Sequence, residues 1–183
     1  MTTSFLPQGG GYKNLRVYQI TEVIYDLTYH FAHRFLRPGD RTIDQMIQAA
    51  RSGKQNIAEG SVASTTSRET EIKLTNVAKA SLEELLIDYQ DYLRVNDLCI
   101  WDASHPRYQA IREYAKSNEL RLQYTTLYEK LNGEEYCNLC ITLINQATYM
   151  LKRLLDKQQQ QFVEHGGIRE QMTRARLDYR KKN

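Results

Sequence analysis

Apolar residues recur at three- and four-residue steps along most of this 183-residue chain, which is the period of one face of an α-helix. The spacing predicts four long helices, at residues 14–35, 42–59, 67–95 and 134–162. Each helix carries one apolar stripe that must be buried against another element. We therefore expect an all-α fold that forms an antiparallel four-helix bundle.

Helix-breaking and capping residues mark the ends of these stretches. Pro38 and Gly39 end the first helix, because proline disfavours helix at the residue before it. Gly60 is predicted to stop the second helix. Thr66 and Glu69 fit a capping box at the start of the third, in which the hydroxyl and the carboxylate each accept from a free backbone N–H.

Further helical segments lie between and beyond the long helices. Residues 98–131 read as an inserted helical segment, with Ser104 as a cap near its start and a break near Ser117. Two glycines at residues 166–167 form a hinge before a short basic helix at residues 168–182. The chain is thus predicted to have a flexible N-terminus, a bundle that includes the insert, and a basic C-terminal tail, at residues 1–11, 12–165 and 166–183.

Composition narrows the class of protein. The chain has only three prolines and three cysteines, which argues against a collagen-like chain and a disulfide scaffold. The N-terminus has no basic stretch followed by an apolar one, so no signal peptide is predicted. No apolar run approaches the ~20 residues that span a bilayer. We expect a cytoplasmic protein without a membrane partner.

The formal net charge of +3 conceals an uneven distribution. Residues 1–60 carry net +2, residues 61–165 carry net −3, and residues 166–183 carry net +4. A near-neutral body therefore carries a basic tail. Such a tail suits nucleic acid, an anionic membrane or an acidic protein face.

Ten cations are candidates for contact with nucleic acid, because lysine and arginine neutralise phosphates in a salt-dependent, sequence-independent way. Four of them lie on or just before the second helix, and six lie in the tail: Arg37, Arg41, Arg51 and Lys54, then Arg169, Arg174, Arg176, Arg180, Lys181 and Lys182. The first group also fits an ordinary solvated helix face with ion pairs to Asp40 and Asp44. Both interpretations stay open at this point.

The tail has a second interpretation of its own. The apolar residues Ile168, Met172, Ala175 and Tyr179 recur at helical spacing and form a stripe. Such a stripe is typical of a surface that docks on a partner subunit. The tail thus fits either nucleic-acid binding or a subunit contact.

Three short strings carry a resemblance to a known family. Residues 49–60 read AARSGKQNIAEG, residues 12–15 read YKNL, and residues 80–85 read ASLEEL. In these strings the chain resembles the four-helix-bundle proteins encoded in 23S rRNA intervening sequences. The inserted segment and residues 167–177 resemble a longer "suffix" subgroup of that family.

The resemblance implies a bundle fold without enzymatic activity and ring-like homo-oligomers, notably pentamers. A related branch, the accessory proteins of diversity-generating retroelements, carries basic surfaces and binds nucleic acid and a reverse transcriptase. Those partners are expected here by analogy. The chain departs from the family at Gly53 and Lys54, where an apolar residue and proline are common, so the family's packing is not carried over there.

Three residues of the first string, Asn56, Glu59 and Gly60, have two possible roles. Asn56 and Glu59 lie one helical turn apart and so share a helix face, with Gly60 directly after them. They fit a structural role at the helix end, where free backbone groups need partners. They also fit a contact with a ligand or a partner protein.

Nothing in the chain predicts catalysis, a metal or a cofactor. Cys137 and Cys140 with His30 and His33 could in principle hold zinc between facing helices, but a single CxxC pair on an apolar face predicts packed cysteines. No phosphate-binding glycine loop or nucleophile motif occurs. We predict a non-enzymatic, oligomeric protein that binds nucleic acid, RNA in preference to DNA. The alternative is a protein-interaction scaffold whose tail docks on neighbouring subunits or a partner protein.

Overall fold

The computed structural model describes residues 11–182, and every regular element in that range is a helix, which confirms the all-α prediction. Of the predicted flexible N-terminus, residues 1–10 lie outside the described residues. In chain order the α-helices are α1 (Arg16–Phe35), α2 (Arg41–Ala63), α3 (Arg68–Val95), α4 (Tyr108–Lys116), α5 (Asn118–Gln123), α6 (Gly133–His165) and α7 (Ile168–Lys182). Short 3₁₀ helices lie at Gly11–Asn14 and Tyr124–Leu127. Within the described range, no helix combines the length and apolarity needed to cross a membrane.

The four long helices share one core. α2 packs against α1 and α3, and α6 packs against the same two helices. α4 lies on the outside of α6. Each long helix contributes fully buried apolar side chains to the space between them: Leu27 and Phe31, Met46 and Ala50, Leu82 and Leu85, and Ile144 and Leu151. Burial of each larger side chain contributes roughly 1.5–3 kcal/mol.

Aromatic rings fill the part of the core near the start of α6. The ring of Phe31 lies 5.0 Å from that of Tyr89, 4.9 Å from that of Tyr92 and 5.6 Å from that of Tyr136. The Tyr89 side chain is fully buried, and its hydroxyl donates to Oγ1 of Thr28 at 2.9 Å. This hydrogen bond satisfies a polar group that would otherwise be costly to bury.

The close approach of α2 and α3 depends on small residues. A Cβ atom added at Gly53 would stand 2.7 Å from Cδ2 of Leu82, which is inside van der Waals contact. A Cβ atom added at Gly60 would stand 3.4 Å from the carbonyl oxygen of Glu71. The two glycines are seven residues apart and so face α3 together. Packing against α3 explains why glycine is kept inside a helix, where it costs about 1 kcal/mol relative to alanine.

Two predicted boundaries around the α2–α3 turn are wrong. α2 continues through Gly60 to Ala63, because Gly60 keeps helical geometry and packs against α3 instead of ending the helix. The cap of α3 is Ser67, whose hydroxyl accepts from the backbone N–H of Thr70 at 3.1 Å. The hydroxyl of Thr66, the predicted cap, instead donates to the carbonyl oxygen of Ala63.

The inserted segment is helical, as predicted, but begins later. α4 starts at Tyr108, and the hydroxyl of Ser104 donates to Asp102 in the preceding turn, so the predicted cap at Ser104 is wrong. The predicted break at Ser117 is confirmed. Ser117 ends α4 and caps α5, where its hydroxyl accepts from the backbone N–H of Leu120 at 3.1 Å.

The Gly53 contact gives a testable stability prediction. Gly53→Val places a branched side chain against Leu82, so we expect it to lower the free energy of unfolding by about 1–3 kcal/mol. Leu82→Ala alone should cost about 2–5 kcal/mol, because it leaves a cavity in the core. Urea unfolding followed by circular dichroism measures both changes.

The double variant is the matched control for this contact. In the Leu82→Ala background, the added valine occupies the vacated space. The double variant should therefore lose less free energy of unfolding than the two single variants lose in sum, by about 1 kcal/mol or more. Strictly additive costs would show that the two positions do not compete for the same space.

Candidate nucleic-acid interface

The predicted cations at the start of α2 stand beside carboxylates. Arg37 lines a groove that also holds Asp40, Asp88 and Asp91. Hydrogen bonds at the first turn of α2, together with the nearby Arg37 guanidinium, hold the pKa of Asp40 below its usual value. Arg41 is exposed at the first residue of α2. A phosphate that approached Arg37 would therefore meet repulsion from these carboxylates.

The other two cations of α2 differ in their surroundings. The Lys54 ammonium lies 4.3 Å from the centroid of the Tyr25 ring on α1, a cation–π contact within the chain. Arg51 is exposed and takes part in no ion pair within the described part of the chain. Of this pair, Arg51 is the better placed to meet a ligand.

The motif around Asn56 forms part of the contact between α2 and α3. Nδ2 of Asn56 donates to the carbonyl oxygen of Ser52 at 2.8 Å and to its hydroxyl at 3.0 Å. The Ser52 hydroxyl in turn lies 2.9 Å from the hydroxyl of Ser81 on α3. Gly60 packs on α3, and Glu59 is exposed. This polar network lies inside α2 and bridges two helices, so it is not a helix-end structure.

The helix that carries the tail cations begins at the opposite end of α3 from Arg37. α7 begins beside Arg68, at the start of α3, whereas Arg37 shares its groove with Val95, at the end of α3. The 28 residues of α3 span about 42 Å at 1.5 Å per residue. Five tail cations are exposed: Arg169, Arg174, Arg176, Arg180 and Lys181. Lys182 belongs to α7, and its side chain lies outside the described part of the structure.

α7 is amphipathic, and among its described side chains only that of Ile168, in the first turn, is buried. Ile168 is 8% exposed, whereas Met172 is 49% and Tyr179 is 71% exposed on the same helix face. At 100° per residue, Arg176 and Arg180 lie along one edge of this apolar face. After its first turn, the helix therefore presents an apolar stripe and an arginine row next to each other.

A groove of about 480 Å³ between α4 and α6 brings together aromatic rings, cations and amides. The groove was not predicted from the sequence. The side chains that define its chemistry are Tyr108, Arg112 and Lys116 from α4, and Asn145, Gln146 and Tyr149 from α6. None of the described residues that line it carries a carboxylate. We name it the α4–α6 groove.

Trp101 holds one wall of the α4–α6 groove in place. Its backbone N–H donates to Oδ1 of Asn138 at 2.7 Å, and its indole Nε1 donates to Glu134 at 2.8 Å. Its ring stacks on that of His105, with the centroids 4.5 Å apart. These contacts tie the loop before α4 to the first turns of α6 and so fix the position of Trp101 at the groove.

The sequence contains two separate signals for this groove, one on each helix. Tyr108, Arg112 and Lys116 recur every four residues and so share one face of α4. Asn145 and Tyr149 do the same on α6. The two rows are more than 25 residues apart in the chain, so only the packing of α4 on α6 shows that they meet.

The surface between α2 and α3 is acidic. Asp44 and Glu84 line one groove there, and Asp88 and Asp91 line the adjoining groove, which also holds Arg37. Asp91 pairs with Arg94 at 2.8 Å, whereas no ion pair within the described residues engages the other three carboxylates. Partial burial, with the charges of Glu84 and Asp91, raises the pKa of Asp88 to about 6.

The cysteine and histidine pairs are placed apart. Cys137 and Cys140 are buried in the core, and burial raises the pKa of the Cys140 thiol to about 12. The ring of His30 stacks on that of Tyr128, with centroids 3.6 Å apart. Over residues 11–182, no group of three or more His, Cys, Asp or Glu side chains is arranged to hold a metal ion.

The raised pKa of Asp88 predicts how stability depends on pH. The folded chain binds the Asp88 proton more tightly than the unfolded chain does. The stability that this proton contributes is therefore complete below about pH 4 and is lost as the pH rises toward 6. Asp88→Asn should therefore raise the free energy of unfolding at pH 7 by about 1 kcal/mol, after allowance for solvent screening. Near pH 4 the gain should disappear.

Chemical unfolding at the two pH values measures this effect. Asp156→Asn, which removes an exposed carboxylate of α6, is the matched control and should change stability by less than about 0.5 kcal/mol at either pH. An Asp88→Asn gain that was the same at pH 4 and pH 7 would contradict the role of ionised Asp88.

Comparisons with protein-family models, with curated proteins and with solved structures found no match.

Proposed function

We propose that this protein is a non-enzymatic, homo-oligomeric helical protein that binds nucleic acid, RNA in preference to DNA. In this proposal α1, α2, α3 and α6 form an antiparallel four-helix bundle. The pairwise packing of these helices supports that arrangement, as do the short turns that join α1 to α2 and α2 to α3. The insert and α7 add surfaces to the bundle.

The α4–α6 groove is the observation that carries the proposal. Proteins that bind single-stranded nucleic acid combine cations that follow the backbone with aromatic rings on which bases stack. Arg112 and Lys116 supply the cations, and Tyr149 supplies a ring. The Arg112 guanidinium donates to the hydroxyl of Tyr108 at 2.7 Å and lies 5.1 Å from its ring, so this pair presents a cation and a second ring together. Tyr149 is 61% exposed, which leaves its ring accessible to a base.

The groove also contains groups that suit base edges. The amides of Asn145 and Gln146 can each donate and accept hydrogen bonds. Unpaired bases present their Watson–Crick edges to such groups, and unpaired bases are common in RNA loops and bulges. A groove of this kind favours single-stranded segments of a structured RNA.

Other exposed cations extend the positive surface. Arg51 on α2 and Arg174 and Lys181 on α7 are placed to meet phosphates without a specific partner base. A homo-oligomer would repeat each of these weak contacts, and avidity would increase overall affinity. The resemblance favours a pentamer, and through the related branch it favours a reverse transcriptase as a further partner.

A protein-interaction scaffold is the second candidate function. The apolar stripe of α7 is exposed beyond Ile168, and its largest exposed side chains are Met172 and Tyr179. A stripe of this kind is typical of a helix that docks on a neighbouring subunit or on another protein.

Substitutions in the α4–α6 groove test the first candidate. Arg112→Ala with Lys116→Ala should weaken binding to a short single-stranded RNA by about tenfold or more at low salt, because two phosphate contacts are lost. The slope of log K against log salt should fall by roughly 1.4 for a single strand. Tyr149→Ala should weaken binding by about 1–3 kcal/mol, through lost stacking on one base. Fluorescence anisotropy across a salt series measures all three.

The matched control removes two cations elsewhere. Lys73→Ala with Arg94→Ala changes the net charge equally, but both side chains are paired with carboxylates on α3 and lie away from the groove. It should leave RNA affinity within about twofold. If the wild-type chain bound no RNA at low salt, or bound it without salt dependence, the proposal would be wrong.

A further inference from the structure

Arg16, the first residue of α1, meets the end of α4. Its guanidinium nitrogen Nη2 donates to the backbone carbonyl oxygen of Lys116 at 3.2 Å. Lys116 is the last residue of α4 and lines the α4–α6 groove. The two residues are 100 positions apart in the chain, so only the folded structure brings them together. The contact places a third cation next to the two that the groove already contains, Arg112 and Lys116.

The packing of α4 on α6 shows which end of the groove Arg16 approaches. Arg107, directly before α4, pairs with Glu135 in the first turn of α6, and the α6 residues that line the groove all follow Glu135. The two helices therefore run side by side in the same direction. Because α4 ends at Lys116, this residue lies toward Tyr149, the last residue of α6 at the groove. Arg16 thus stands at the end of the groove that contains an exposed aromatic ring.

The end of α4 is a place where a phosphate needs an additional cation. Carbonyl groups in the last turn of a helix lack intrahelical partners and carry a partial negative charge, which repels an anion. The Arg16 guanidinium offsets that charge at the Lys116 carbonyl. Arg16 and Lys116 are both exposed, and no ion pair among residues 11–182 engages either one. Glu119, three residues after Lys116, therefore pairs with neither of them.

Arg16 keeps most of its hydrogen-bonding capacity in this contact. A guanidinium carries five N–H donors, and the bond to the Lys116 carbonyl uses one of them. The same bond holds the guanidinium in place before a ligand arrives, so less conformational freedom is lost on binding. Arginine suits phosphate oxygens in particular, because its planar fork donates two parallel hydrogen bonds to them.

The three cations are spaced like the phosphates of a single strand. Arg112 and Lys116 are one helical turn apart, about 6 Å along the axis of α4, which is close to the distance between neighbouring phosphates in an extended strand. Arg16 follows directly after Lys116, since its guanidinium bonds to the backbone of that residue. A strand that passes Arg112 and then Lys116 therefore comes next to Arg16.

We propose that Arg16 and Lys116 form a phosphate-binding site at the end of the α4–α6 groove, where a bound single strand continues from α4 onto α1. Arg112 and Lys116 hold two successive phosphates, and Arg16 holds the next one. Tyr149, at the same end, offers its ring to a base of this segment. The inference rests on the proposed function, because the same groove binds the strand, and it adds α1 to the surface that contacts nucleic acid.

Two substitutions of Arg16 test this site, with a fluorescein-labelled oligouridylate of about ten nucleotides as the probe. Arg16→Gln keeps a donor for the Lys116 carbonyl but removes the charge. At low salt it should weaken binding by about threefold or more, and the slope of log K against log salt should fall by about 0.7. Arg16→Lys keeps the charge, so it should retain the wild-type slope and an affinity within about twofold. Fluorescence anisotropy across a salt series measures both.

Arg94→Gln is the matched control. It removes an equal charge from the last turn of α3, near the groove that holds Phe35 at the other end of α1 from Arg16. Its affinity for the oligouridylate should stay within about twofold of the wild-type value. Circular dichroism should show the same helical content in all three variants, because each substituted side chain is exposed.

The outcomes separate this inference from the proposed function. If Arg16→Gln changed neither affinity nor salt slope while Arg112→Ala with Lys116→Ala weakened binding, the site at Arg16 would be overturned and the groove would remain. Equal losses for the Gln and Lys variants of Arg16 would also overturn it, since its charge would then have no part in binding. A wild-type chain that bound no oligouridylate at low salt would overturn the proposed function together with this inference.

Discussion

The close approach of α2 to α3 is the constraint that sets how two of the long helices pack and what surface lies between them. Gly53 lets the α2 backbone lie directly against Leu82, and Gly60 does the same against the first turns of α3. At this separation the side chains that flank the contact are forced together. Some form the network of Ser52 and Ser81. Others are carboxylates: Asp88 lines a groove with the first turns of α2, and its partial burial there, together with the charges of Glu84 and Asp91 on its own helix, raises its pKa. The burial of this carboxylate therefore follows from how closely the helices pack.

The helices were predictable because their signal is local. A repeat of apolar residues over five or more turns outweighs single-residue effects, and the long helices were found to within a few residues. The errors arise where a residue's role depends on a distant neighbour. The pattern predicts a stop at Gly60, since a glycine after a helical run usually ends the helix, but the role of Gly60 is set by its packing on α3. At the next turn, Thr66 and Ser67 are adjacent hydroxyls, and only backbone geometry decides which one caps α3.

The candidate site was less predictable, because a charge is only as available as its surroundings allow. The sequence shows Lys54 and Arg37 as cations, but it does not show the ring of Tyr25 beneath Lys54 or the groove that Arg37 shares with Asp88. The α4–α6 groove could not be predicted for a different reason. Its residues resemble ordinary surface residues on each helix, and they form a groove only because α4 packs on α6. Electrostatic and stacking contacts join residues of different helices, whereas hydrophobic periodicity describes one helix at a time. The periodicity therefore predicts the helices but not the contacts between their side chains.

The two kinds of groove on this molecule differ in the charge that they present, although both lie between packed helices. The α4–α6 groove is lined by Arg112 and Lys116 and, among its described residues, by no carboxylate, whereas Asp44 and Glu84 line a groove between α2 and α3. A polyanion is therefore attracted to the first surface and repelled by the second. In the proposed homo-oligomer every copy would repeat the α4–α6 groove, and linked weak sites bind a long strand far more tightly than one site does.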